Sequence, residues 1–131
     1  MRQRLSKERG ASAVEFALIA PLLLLLVVGI AEFGRAFQVQ STLSAAAREG
    51  VRTMALQNDQ AAARSMAESV ANSLTPGLTD AQISFTPASC PITYTSGASV
   101  RMTISYRLPF MTGLFGAGVQ MSASGAMRCN G

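Results

Sequence analysis

The stretch Gly10 to Ala31, GASAVEFALIAPLLLLLVVGIA, decides how the rest of the chain is read. Four cations precede it (Arg2, Arg4, Lys7 and Arg9), Glu15 lies just inside its apolar start, and Pro21 interrupts it before a run of leucines. From Phe16 to Ala31 no residue is charged, and at a rise of ~1.5 Å these sixteen residues span ~24 Å as a helix. That falls short of the ~30 Å hydrocarbon core of a bilayer. A helix starting at Ala11 has 21 residues and spans it, but then carries Glu15 near the membrane face. An ionised side chain in lipid costs several kcal/mol unless it is paired or close to the interface, so a carboxylate at this depth marks a candidate functional site.

The charge outside this stretch supports the same reading. Residues 1 to 10 hold four cations against Glu8, a net +3, and residues 11 to 131 hold seven Arg against six acids, a net +1. The basicity belongs to the leader, and cations directly before an apolar span place the N-terminus in the cytoplasm and the remainder outside. The expected location is the bacterial inner membrane, single-pass, with the C-terminal part periplasmic or extracellular. Nucleic acid is not an expected partner, because the folded part lacks a basic face. At 131 residues the chain has room for an anchor and one domain of modest core.

Chemistry of the catalytic kind is absent from the pattern. There is no His to serve as general base or metal ligand, and Glu32, Glu49, Asp59, Glu68 and Asp80 are scattered without a partner base. No glycine-rich loop joins a strand to a helix in a phosphate-cradling arrangement. The expectation is therefore no enzyme, no metal and no cofactor. Cys90 and Cys129 stand 39 residues apart, unlike paired metal ligands, and lie in the exported part, where they read as a disulfide. On a chain-entropy view such a bridge stabilises a fold by ~4 kcal/mol. Two buried free thiols are the alternative.

Two places offer themselves for processing. A secretory peptidase could cut after Gly29-Ile30-Ala31 and discard the anchor, whereas cleavage after Gly10 would keep it. An ordinary secretory signal has no need of Glu15, and no turn follows Ala31, since the helical pattern continues to Leu56.

Arg9-Gly10 followed by Ala11-Ser12-Ala13-Val14-Glu15-Phe16 resembles the processing motif of the type IV pilin superfamily in its Tad/Flp branch. The longer run from Arg9 to Arg52, including Glu32-Phe33-Gly34-Arg35 and Ala46-Ala47-Arg48-Glu49-Gly50-Val51-Arg52, is similar to TadE-like minor pseudopilins. The resemblance covers about a third of the chain. It implies a prepilin peptidase cutting between Gly10 and Ala11, with Glu15 at the fifth mature position and the aromatic Phe16 after it. It also implies that Glu15 attracts the N-terminal amine of a neighbouring subunit. The partners implied are other pilins or pseudopilins, the pilus assembly machinery, the prepilin peptidase and inner-membrane lipid, in a pilus used for adhesion. Physically, a charge pair in low dielectric is favourable where one charge alone is not. The competing reading of Glu15 is a carboxylate that merely reaches the cytoplasmic headgroups.

The resulting fold expectation is α+β, with a long N-terminal helix, a short second helix and a small antiparallel sheet. The divisions are a basic leader (1–10), a transmembrane helix (11–31), its continuation (32–56) and a helix-plus-sheet region (57–131). In the continuation, Phe33, Phe37, Leu43, Ala47, Val51 and Met54 form an apolar stripe, and Glu32 can pair with Arg35 at i and i+3. Asn58 or Asp59 caps a second helix with Ala63, Met66, Ala67, Val70, Ala71 and Leu74 on one side, stopping at Thr75-Pro76-Gly77. Strands are predicted at Gln82–Thr86, weakly at Ile92–Thr95, and clearly at Val100–Leu108, where Val100, Met102, Ile104, Tyr106 and Leu108 alternate with polar residues. A last strand spans Val119–Met127 with Val119, Met121, Ala123 and Met127 inward, and Cys129 shares their parity.

Phe110 to Gly118, FMTGLFGAG, is expected as a loop. Either Phe110, Leu114 and Phe115 tuck under the sheet, or they form a contact surface for another subunit or the outer leaflet. Three functions follow from different classes: a pilin-like subunit, a secreted binding module released after Ala31, or an unprocessed single-span protein. The mature N-terminal residue separates them, being Ala11, Glu32 or Met1.

Overall fold

The computed structural model describes residues 2–93 and 96–129. Its first element, α1, runs Arg2–Gln57 without a break. The sequence puts its start at Ala11, but Arg, Gln, Leu, Lys and Glu in the leader are good helix formers, and no proline occurs before Pro21. The Ser12 hydroxyl also donates to the Glu8 carbonyl at 3.1 Å, within the helix. Pro21 is accommodated inside the helix. The chain divides into two compact units, Met1–Arg35 and Ala36–Gly131.

The first unit consists of α1 alone. Its most apolar 18-residue window buries none of its residues, and α1 is the one described helix long and apolar enough to cross a membrane. Phe16, Leu18 and Leu22 through Leu26 all stand exposed. Near its end Glu32 is an exception, only 2% exposed.

The second unit has a layer of helix against a layer of sheet. After α1, Asn58 takes a left-handed φ of 51° and its amide donates to the Met54 carbonyl, closing the helix. Asp59 then caps α2, Gln60–Val70, its carboxylate accepting from the Ala61 and Ala62 amides. The expected cap is thus Asp59, with Asn58 ending the previous helix. The helix stops at Val70, short of the predicted Thr75, although Ala63, Ala67, Ala71 and Leu74 are buried as expected. Met66 is exposed, because the alanine face alone sits close to the sheet.

The sheet has the order β1-β2-β3, all antiparallel. A 3₁₀ turn at Asp80–Gln82 takes Gln82 out of the predicted strand, leaving β1 at Ile83–Thr86. The central strand β2, Ser99–Pro109, carries the clean alternation seen in the sequence: Val100, Met102, Ile104, Tyr106 and Leu108 are all buried. Its register with β3, Gly118–Arg128, is continuous from Ser99↔Arg128 to Pro109↔Gly118. Within β3, Ala123 and Gly125 face inward, Met121 and Met127 are partly buried, and Val119 is exposed, contrary to expectation. Ile92 and Thr93 form a bend and not a strand, since Ile92 is fully exposed and has no face to cover; Tyr94 and Thr95 of that expectation lie outside the described residues.

The core combines Val39, Leu43, Ala46, Ala47, Val51 and Met54 of α1 with the alanines of α2 and the inner face of β2. Two glycines set the spacing between layers. A Cβ on Gly125 would meet the Ala47 carbonyl oxygen at 2.8 Å, and one on Gly50 would overlap the Met102 sulfur. The predicted stripe therefore holds from Leu43 onward and fails at Phe33 and Phe37, which are 66% and 80% exposed. Phe37 and Leu43 are six positions apart, which at 3.6 per turn puts Phe37 on a different flank of the helix.

Candidate functional site

Gly10, Ala11, Glu15 and Phe16 all lie on α1 and are all exposed. A side chain built on Gly10 would meet nothing within 4 Å, so the glycine is not needed there for packing. Glu15 follows Ala11 by one turn on the same face, and helical side chains lean toward the N-terminus. The two residues stand ~6 Å apart along the axis. The helix is continuous across both Gly10–Ala11 and Ala31–Glu32, so either bond must unwind before a peptidase can take it. The surroundings differ: nothing packs around Gly10, whereas Glu32 is buried.

Sequence reasoning placed Glu32 on a helix surface beside Arg35. The structure instead buries it, and it is engaged rather than free. A buried carboxylate is expensive without a partner.

The expected disulfide forms between Cys90 and Cys129, with Cα atoms 5.7 Å apart. Asn58 grips the same place, its side-chain amide donating to the Cys90 carbonyl at 3.2 Å while its oxygen accepts from the Cys90 amide at 2.7 Å. Gln60 adds a hydrogen bond to the Ala88 carbonyl, and the Cys129 amide donates to the Ala98 carbonyl at 2.9 Å. These bonds tie the end of α1, the segment before β2 and the end of β3 together. Nothing in the sequence spacing singled out Asn58 for that role.

Arg64 of α2 organises the start of the sheet. Its guanidinium donates to the Asp80 and Ile83 carbonyls and lies over the Phe85 ring at 5.3 Å to the centroid. Glu68, one turn along, titrates above the ordinary range for a glutamate. Partial burial is the main cause, followed by the Asp80 charge and a hydrogen bond to it, and Arg64 offsets part of the rise.

Phe110 to Ala117 joins β2 to β3, with a 3₁₀ turn at Gly113–Phe115 and the Phe110 amide donating to the Ala117 carbonyl. The tucked arrangement does not occur as a whole. Phe110 is half-buried and Phe115 partly covered, while Leu114 and its neighbour Met111 are 62% and 63% exposed. Three residues, Phe110 to Thr112, join Pro109 to Gly113, and the 3₁₀ turn that follows carries Leu114 on its outer side. Among the described residues, no group of three or more Cys, Asp or Glu converges as a metal ion would require.

Residues 10–52 match the family model described as TadE-like protein. The match begins at Gly10, takes in Glu15 and Glu32, and ends at Arg52 within the buried part of α1. Neither the curated proteins nor the solved structures contain a significant match to the chain.

Proposed function

We propose that this chain, TadE-like over residues 10–52, is a minor pilin-like subunit that helps start or regulate assembly of a Tad/Flp adhesive pilus. Its role is structural rather than catalytic. A prepilin peptidase cuts after Gly10, and the freed Ala11 amine and Glu15 then lie at one depth in the membrane. Glu15 pairs with the amine of a neighbouring subunit, because in low dielectric the pair is favoured over either ion alone. Other pilins or pseudopilins and the assembly machinery are its partners.

The observation that carries this reading is that the first unit leaves its apolar helix wholly uncovered, with Glu15 exposed at its start. Such a surface is open both to lipid and to neighbouring helices. Cleavage at Gly10 is further supported by its bare surroundings: unwinding there sacrifices no tertiary contact, and glycine already weakens a helix by ~1 kcal/mol relative to alanine. Cutting after Ala31 would act beside a buried residue and remove the apolar segment.

The test uses Glu15→Ala in native membranes. The variant is expected to insert and to be cleaved after Gly10 but to lose co-purification with its pilus partners. Co-purification at the level of the unaltered chain would refute the pairing role. An intact mass corresponding to an uncut Gly10–Ala11 bond in the unaltered chain would refute processing.

A further inference from the structure

The β2–β3 hairpin shows where its exposed tip lies along the second unit. Gln40 of α1 donates to the Ser122 carbonyl at 2.9 Å, and Gly125 approaches Ala47 and Val51. Three residues of β3, ~10 Å at strand rise, therefore accompany about seven residues of α1, ~10 Å at helix rise. Strand and helix advance together and in the same direction.

The loop preceding β3 is consequently at the end of the unit where α1 enters it. From Ser122 back to Gly118 is a further ~14 Å of strand, whereas from Gln40 back to Ala36 is only ~6 Å of helix. The tip thus lies at the end of the unit that begins with Ala36, and Ala36 follows the apolar run by five residues. The disulfide, the Asn58 grip and the fully exposed Ile92 occupy the opposite end.

Composition at the tip fits that position. No residue from Leu108 to Met127 is charged, and Met111, Leu114 and Val119 are all exposed. Arg107, exposed on β2, is the cation just behind them. An apolar turn backed by a cation suits the boundary between acyl chains and phosphate headgroups, into which amphipathic surfaces sink by ~5–10 Å.

We infer that the Phe110–Ala117 turn is a second membrane contact, dipping into the leaflet from which α1 emerges. This rests on α1 being the membrane span. Lipid is the occupant because the turn faces the end where the span enters the unit. The contact would hold the second unit down on the bilayer, in addition to the covalent tether.

The chain contains no tryptophan, so a single introduced indole reports its own surroundings. Full-length chains carrying Leu114→Trp, Met111→Trp, Ile92→Trp or Val27→Trp are reconstituted in vesicles whose lipids are brominated high on the acyl chain. V27W tests the span, L114W and M111W the turn, and I92W an equally apolar, exposed position at the far end. The expected result is loss of emission for V27W, L114W and M111W, with a blue shift for the turn variants, and no loss for I92W. Quenching of V27W without quenching of either turn variant overturns the inference and leaves the span intact. An unquenched V27W overturns the span itself, and the inference with it. A blue-shifted L114W that bromine does not quench means that protein covers the turn, and equal quenching of L114W and I92W means indiscriminate adsorption; both refute the lipid contact.

Discussion

Leu24 and Leu43 stand on the same uninterrupted helix, yet the first is 66% exposed and the second not at all. One belongs to a unit with no core of its own, the other to a unit whose helices and sheet close around it. In the first unit sequence selects for solubility in lipid, a property of average composition that tolerates exchange among apolar residues. In the second it selects for shape, so single atoms matter: two glycines keep the layers in contact, and alanines line the seam. One helical segment obeys two different solvents.

Breaking the Cys90–Cys129 bridge should produce the largest effect and confine it to the second unit. Cys90→Ser with Cys129→Ser is expected to lower the stability of that unit by ~4 kcal/mol, read by urea unfolding of detergent-solubilised chain. Membrane extraction should be unaltered; a protein that no longer partitions with the membrane would mean that the two regions are not separable in this way. A matched pair sharpens the contrast. Leu43→Ala should cost ~3 kcal/mol in the same unfolding experiment through a cavity in the core, and Leu24→Ala should leave it unchanged. Equal losses would show the apolar window to be packed against protein.

The smallest effect is electrostatic. Because the Glu68 carboxyl titrates above its ordinary value in the folded chain, the folded state holds that proton more tightly than the unfolded one. Its contribution is greatest in acid and is lost as pH rises through the raised pKa. Glu68→Gln should flatten this slope between pH values on either side of the ordinary glutamate range, and an unchanged slope would assign the dependence elsewhere.

Much of the second unit was legible because its signals are local. The alternation from Val100 to Leu108 depends only on strand period, and Asp59 could be recognised as a cap from its own short side chain. The α+β class followed from the same kind of reading, and the disulfide from two cysteines in the part expected to be exported. Where the reading failed, the deciding atoms lay far away in sequence. Phe37 has helical spacing, but the sheet chose a different flank of α1. Val119 alternates correctly with its strand but is exposed. The candidate processing and assembly residues were legible as a pattern, Gly10 to Glu15, and the structure adds their common exposure.

β3 has β2 on one side and no described strand on the other. Along it lie serines, glycines and alanine with no charge before Arg128, and Gln40 occupies the carbonyl of Ser122. Sheets usually guard such borders with lysine, proline or a bulge, since an undefended one is a template on which identical chains add. For whoever isolates this protein, crowding is therefore the variable to control ahead of heat.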